Sequence, residues 1–204
     1  MQEGAAVKAS RGEDSRHELM KVAIDCFARY GYQATSIDRI AKAAGVTKGA
    51  LYYHFKDKED LLFEAVRNRV GQFERRVAGD IKAETRDAAA SLRRVAEECI
   101  EHATKSNHRR FIVTLMVEAL DTNDRISHQF RAMMQRFRQY LIDIIHAGQR
   151  SGLFRKNVDA PLAAQIYAAT VMGAEIQYYQ DPETVDLRRV LDGFLDQFVR
   201  SISV

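Results

Sequence analysis

Between Thr35 and Phe55 the chain reads TSIDRIAKAAGVTKGALYYHF, and that spacing leaves few structures open. Ile37, Ile40, Ala41 and Ala44 recur at helical intervals. Thr35, with Asp38 three residues on, reads as a capping pair for this helix. Gly45 stands where a left-handed residue stops a helix. Thr47 then caps a second short helix, whose inner side is Leu51 and Phe55. Lys48, Gly49, Tyr52, Tyr53 and His54 are left facing out. Two short helices, a tight turn and a polar, aromatic outer face are the arrangement that seats a helix in a DNA groove.

The rest of the chain continues in helices. Residues 14–30 place Leu19, Val22, Ala23, Cys26, Phe27 and Tyr30 on one stripe. Asp57 caps a long helix with Leu61, Leu62, Ala65 and Val66 inside. Further helical patterns cover 86–105, 108–120, about 124–150 (closed by Gly148 and Gly152), 160–180 and 184–202. Two prolines in 204 residues, and no convincing strand, make the expected fold all-α with about nine helices. Residues 1–13 are small and polar and read as a disordered arm. Residues 14–56 form a helical head, and 57–204 a larger helical body.

Charge follows the same division. Residues 1–58 hold ten Lys/Arg against seven Asp/Glu, whereas the remainder is balanced at twenty-one of each. The excess of positive charge therefore lies with the head, as binding to a polyanion by a shaped surface requires. Cys26 and Cys99 are far apart and form no CxxC, so a reducing cytoplasm and no zinc site are expected. No leader sequence and no apolar run of membrane-spanning length is read, so no membrane partner is expected.

At Ala23–Leu62, AIDCFARYGYQATSIDRIAKAAGVTKGALYYHFKDKEDLL, the chain resembles the TetR family of bacterial transcriptional regulators. The resemblance rests on GY-x-x-T, IA-x-x-AGV and LYYHF-x-x-K-x-x-LL in that order. It implies that Lys48, Gly49, Tyr52, Tyr53 and His54, after the cap Thr47, form the recognition face. Thr35 or Ser36 would lie near a phosphate at the start of the supporting helix. Lys48 can reach a guanine edge or a phosphate, and the tyrosines can meet sugar, thymine methyl or phosphate. Gly49 lets the backbone come close to DNA. Lys58 stands in the first turn of a helix, where the macrodipole disfavours a cation, so an outside phosphate is expected to account for it.

The body reads less sharply. Thr114, Glu118 and Glu175 interrupt apolar helices, and a buried carboxylate is costly unless paired. One reading gives these acids internal partners such as Arg109 or Arg138. The other makes them the polar lining of a ligand cavity with Phe111, Leu115, Phe137, Tyr140, Leu141, Tyr167 and Met172 as its walls. The occupant would be a small hydrophobic effector. A long-chain acyl thioester fits, with Arg109 and Arg110 near its phosphates. The family resemblance implies a homodimer through the last two helices. Ala163, Ala164, Ala168, Gly173 and Ala174 would allow close approach, while Leu191, Phe194, Leu195 and Phe198 supply apolar area. The pairs Glu98/His102 and Asp143/His146 lack the Glu-x-x-His form of a di-metal bundle, and no catalytic motif or cofactor is read. The expected function is a regulator that binds operator DNA, a repressor released by ligand. An activator, a partner-controlled regulator and an all-helical metal enzyme are the alternatives.

Overall fold

The computed structural model describes residues 2–78, 87–105 and 124–204. Eight helices lie among them: α1 Gln2–Tyr30, α2 Ile37–Ala44, α3 Lys48–His54, α4 Lys58–Ala78, α5 Ala88–Lys105, α6 Asp124–Ser151, α7 Ala160–Gln180 and α8 Leu187–Ile202. There is no strand among the described residues, only an isolated bridge between Phe154 and Ser203. The helix expected over 108–120 falls outside them. The expected disordered arm is corrected: α1 is helical from Gln2. Its first residues are mostly good helix formers and contain no proline, so nothing local stops the helix there.

The described helices fall into two compact units. The first holds α1, α2, α3 and α4 as far as Val70, and the second holds α5, α7, α8 and most of α6. The sequence boundary at 56/57 marks the end of the helix-turn-helix, but the first unit needs three more turns of helix. Leu61, Leu62, Ala65 and Val66 of α4 are buried, as are Leu19, Ala23, Cys26 and Phe27 of α1. Arg16 joins these helices: its guanidinium bonds the Glu64 carboxylate at 2.6 Å and lies 5.2 Å over the Phe55 ring.

In the second unit α7 and α8 pack on each other and on α5. The core gathers Leu92, Val95 and Cys99 from α5, Leu141 and Ile145 from α6, Tyr167 and Val171 from α7, and Leu191, Leu195 and Phe198 from α8. Gly148 lies inside α6, which it was expected to close. A Cβ there would stand 2.1 Å from the Phe154 ring, so the missing side chain is what lets Phe154 bury against the helix.

Candidate functional site

The head builds its outer surface from local rules. α2 is capped by Ser36, whose hydroxyl accepts from the Arg39 N–H at 3.2 Å. The expected cap, Thr35, lies one residue earlier and is only 1% exposed. Its hydroxyl donates to the carbonyls of Gly31 at 2.6 Å and Cys26 at 3.2 Å. Thr35 therefore ties the α1–α2 corner together and faces no phosphate, leaving Ser36 as the exposed hydroxyl of the two. Gly45 ends α2 with φ +67, in the left-handed region that favours glycine. Thr47 then caps α3 by accepting from the Ala50 N–H at 3.2 Å.

α3 buries Leu51, and Phe55 after it, and turns the rest outward. Tyr53 is 85% exposed and Tyr52 49%, while Lys48 and Gly49 are exposed as well. His54 is half-buried, with its ring edge-on to Tyr53 at 5.0 Å. A Cβ on Gly49 would meet only the Thr47 hydroxyl, at 3.8 Å, so nothing inside the protein requires glycine at that position. The Lys48 ammonium bonds the Asp38 carboxylate across the turn at 3.1 Å, which raises the lysine pKa further. Both groups are exposed, so the pair is readily exchanged for another anion.

Lys58 has partners inside the protein. Its ammonium donates to the Tyr32 carbonyl at 2.9 Å and stands 4.2 Å from the centre of the Tyr32 ring. A carbonyl and an aromatic face inside the protein account for the cation that the helix dipole disfavours. The macrodipole argument saw the cost but could not see a carbonyl 26 residues earlier. Tyr30 is a correction: it was expected on the inner stripe of α1, yet it is exposed. Arg39 lies 4.3 Å and Arg29 5.4 Å over its ring. This basic, aromatic corner beside Ser36 was missed, although two arginines near a tyrosine that ends a helix are a readable signal.

In the body, Phe111, Thr114, Leu115 and Glu118 lie outside the described residues, as do Arg109 and Arg110. Of the remaining expected cavity residues, Leu141 is fully buried core. Tyr167 is also satisfied within the core. Its hydroxyl donates to the Leu92 carbonyl at 2.7 Å, and its ring meets Phe194 and Phe198 edge-on at 5.6 and 5.7 Å. Burial pushes the Tyr167 hydroxyl pKa well above the ordinary phenol value. Phe137, Tyr140, Met172 and Glu175 are half-buried. Burial alone raises the Glu175 pKa to about 8, and among the described residues no hydrogen bond or ion pair engages its carboxyl, so the expected Arg138 partner is not found and Arg109 lies outside them. The carboxylate–histidine pairs set aside as a metal site have local partners in part: Asp143 accepts from Gln139 at 3.0 Å and His146 meets Gln149 at 2.9 Å.

The expected dimer residues need a fuller correction. Ala163, Ala164, Ala168, Ala174, Leu191, Leu195 and Phe198 are all buried within one chain. They form the contact of α7 and α8 with each other and with α5, so they have almost no area to give a second copy. Phe194 is half-buried against Tyr167 and Phe198. The outward faces of the same helices carry different side chains: Leu162 and Ile166 on α7, 55% and 47% exposed, and Val190 on α8, 44% exposed. Gly173 and Gly193 lie on these helices too, and a Cβ on either would meet nothing within 4 Å.

Comparison with known proteins covers both units. Residues 19–65 match the family described as bacterial regulatory proteins, tetR family. Residues 88–202 match the BetI-type transcriptional repressor, C-terminal, family. The chain is 26% identical over 187 residues to the fatty acid metabolism regulator protein of Bacillus subtilis (strain 168), covering 91% of this chain and 94% of the relative. It is 28% identical over 184 residues to the transcriptional repressor KstR2 of Rhodococcus jostii (strain RHA1), covering 88% and 87%. Among solved structures, the regulator FadR from Bacillus subtilis in complex with stearoyl-CoA superposes with a TM-score of 0.80. That pair is 25% identical, and the match covers 91% of this chain and 98% of FadR.

Proposed function

The chain belongs to the TetR family of bacterial regulatory proteins, and on that premise we propose that it acts as a dimeric repressor that a small hydrophobic molecule releases from its operator. It is a DNA-binding transcriptional regulator and not an enzyme, like the relatives it matches. The observation that carries the DNA reading is the outer face of α3. Two exposed tyrosines, a lysine held only by an exchangeable surface carboxylate, and a glycine with open space where its side chain would be stand on one short helix. Gly49 is the second residue of α3, where the missing side chain leaves the backbone open to close approach from outside the chain. In this reading Lys48 leaves Asp38 for a base edge or phosphate, Tyr52, Tyr53 and His54 pack on sugar and phosphate, and Thr47 and Ser36 bond phosphate at the two helix starts. Lys58 anchors α4 to Tyr32 and contributes its charge at second hand.

The dimer we propose uses the outward faces of α7 and α8. Leu162, Ile166 and Val190 would supply apolar area, and Gly173 and Gly193 the close approach, in an isologous contact between two copies. The effector we favour is a molecule with a large apolar part bound in the body, as the acyl chain of the stearoyl-CoA in complex with FadR exemplifies. α4 and α6 each begin in one compact unit and end in the other, so both are covalent routes between them. Release requires only that ligand prefer a state in which the heads no longer match the operator, and operator must then weaken ligand by the same factor. Acting on DNA, such a protein would work in the cytoplasm. No helix among the described residues is long and apolar enough to cross a membrane.

Selection from random duplex DNA tests the proposal. Enrichment should yield inverted repeats whose half-sites are centred about 34–36 Å apart, one helical turn, or a multiple of it. Enrichment of isolated half-sites, or none, would overturn the dimeric reading.

A further inference from the structure

α7 is 21 residues long, and its one charged side chain is Glu175. This residue continues the inward stripe of Ala164, Ala168 and Val171, all buried. From α5 it is faced by Cys99, which feels the charges of both Glu175 and Glu98. Beyond Cys99 stand Tyr167 on α7 and Tyr140 on α6, linked in the same electrostatic chain. Among the described residues no lysine, arginine or histidine interacts with Glu175, and none makes a hydrogen bond to its carboxyl. Glu175 is half-buried, and an acid on a core-facing stripe with no partner among the described residues calls for an explanation. Withdrawal from water is what keeps the acid in its neutral form.

We infer that Glu175, as a neutral carboxylic acid, is the hydrogen-bond donor that recognises the effector, and that the effector is an uncharged or apolar-bodied molecule presenting an acceptor oxygen such as a ketone or thioester carbonyl. The inference rests on the reading of the body as the ligand-binding part. A neutral acid in apolar surroundings has a proton to give and nothing to give it to, and a carbonyl on an apolar ligand satisfies it without introducing a charge. The raised pKa of about 8 agrees with this state near neutrality. Cys99 and Tyr167 are pushed well above their ordinary values, so neither supplies an anion in its place.

The test uses the full-length dimeric protein and two uncharged fluorescent probes. Prodan carries a ketone, and diphenylhexatriene is a hydrocarbon without an acceptor. Prodan should bind with the red-shifted emission of a hydrogen-bonded carbonyl. Its affinity should fall by about three- to tenfold as pH rises through about 8, the loss expected for one hydrogen bond. Glu175→Gln keeps an N–H donor and should keep prodan binding while abolishing the pH dependence. Glu175→Leu should lose about three- to tenfold for prodan and nothing for diphenylhexatriene. If diphenylhexatriene binds but prodan is no tighter and insensitive to pH, the donor role is overturned and the body's ligand reading stands. If decyltrimethylammonium binds more tightly as pH rises, and Glu175→Gln removes that binding, Glu175 is a counter-ion and the assignment is wrong. If neither uncharged probe binds, the ligand reading and the inference on it fall together.

Discussion

α3 and α7 both leave large side chains in water, but in different company. On α3 the exposed rings are tyrosines with hydroxyl tips, beside a lysine and a histidine. On α7 the exposed large side chains include the aliphatic Leu162 and Ile166, among glutamines and without any cation on the helix. A polar-tipped aromatic face suits a wet, charged partner such as the DNA backbone. An aliphatic face with open glycines suits a dry contact with a second protein surface. The comparison teaches that exposure alone names no partner: what stands beside the exposed carbon decides it.

The largest effect should separate the two sides of α7. Ala164 is fully buried, so Ala164→Asp places an unpaired charge in the core and should cost more than about 4 kcal/mol, seen as loss of cooperative unfolding by circular dichroism. If Ala164→Asp unfolded like wild type, the inward assignment of that stripe would be wrong.

Glu175 comes next. Its folded pKa of about 8 lies above its ordinary 4.5, so the folded protein holds a proton that the unfolded chain releases between those values. Stability should therefore fall as pH rises through that window, by about 1.4 kcal/mol per pH unit, and level off above it. Glu175→Gln removes the titration, so its stability advantage over wild type should be absent at acid pH and grow toward pH 8 in denaturant titrations. A difference that did not change with pH would show that the carboxyl is not held neutral.

Lys48→Ala tests the wet face. It should cost about 1–3 kcal/mol on a selected operator and much less on unrelated DNA, because a base contact is lost. Equal loss on both would reassign Lys48 to phosphate. Asp38→Ala, which frees the lysine, should strengthen both by a few tenths of a kcal/mol, as expected of an exposed pair.

Lys58→Ala, also a small effect, separates anchoring from binding. Loss of the Tyr32 carbonyl bond should lower the stability of the head by about 1 kcal/mol. The slope of log affinity against log salt should hardly move, whereas a phosphate contact would flatten it by about one unit.

Legibility followed the same contrast. The head could be read because its geometry is set by neighbours in sequence. Gly45 and Thr47 do what their residue types require, and Leu51 and Phe55 leave one face for Tyr52 and Tyr53. It failed by one residue at Thr35 and Ser36, since either hydroxyl can cap and only the packed corner buries one of them. The contact of Lys58 with Tyr32 could not be read because the two are distant in sequence. α7 could not be oriented because it is apolar on all sides, so periodicity assigns no inner face. Its small residues were read as an interface between copies, yet Ala163, Ala164 and Ala168 instead let α5 and α8 come close within one chain. α8 is amphipathic, but its apolar stripe Leu191, Leu195 and Phe198 is used internally, and a stripe does not say whose core it enters.

The central claim is that the outward side of α7 and α8 is where two copies meet, and Ile166→Glu tests it most directly. Ile166 is half in water in the single chain, so the substitution should leave the fold intact by circular dichroism, within about 0.5 kcal/mol. At the dry centre of a dimer contact the same charge should be prohibitive. Sedimentation equilibrium on wild type and variant reads the difference. The account predicts a dimer for the wild type and a folded monomer near 23.2 kDa for Ile166→Glu. A variant that remains a dimer at wild-type affinity would contradict it.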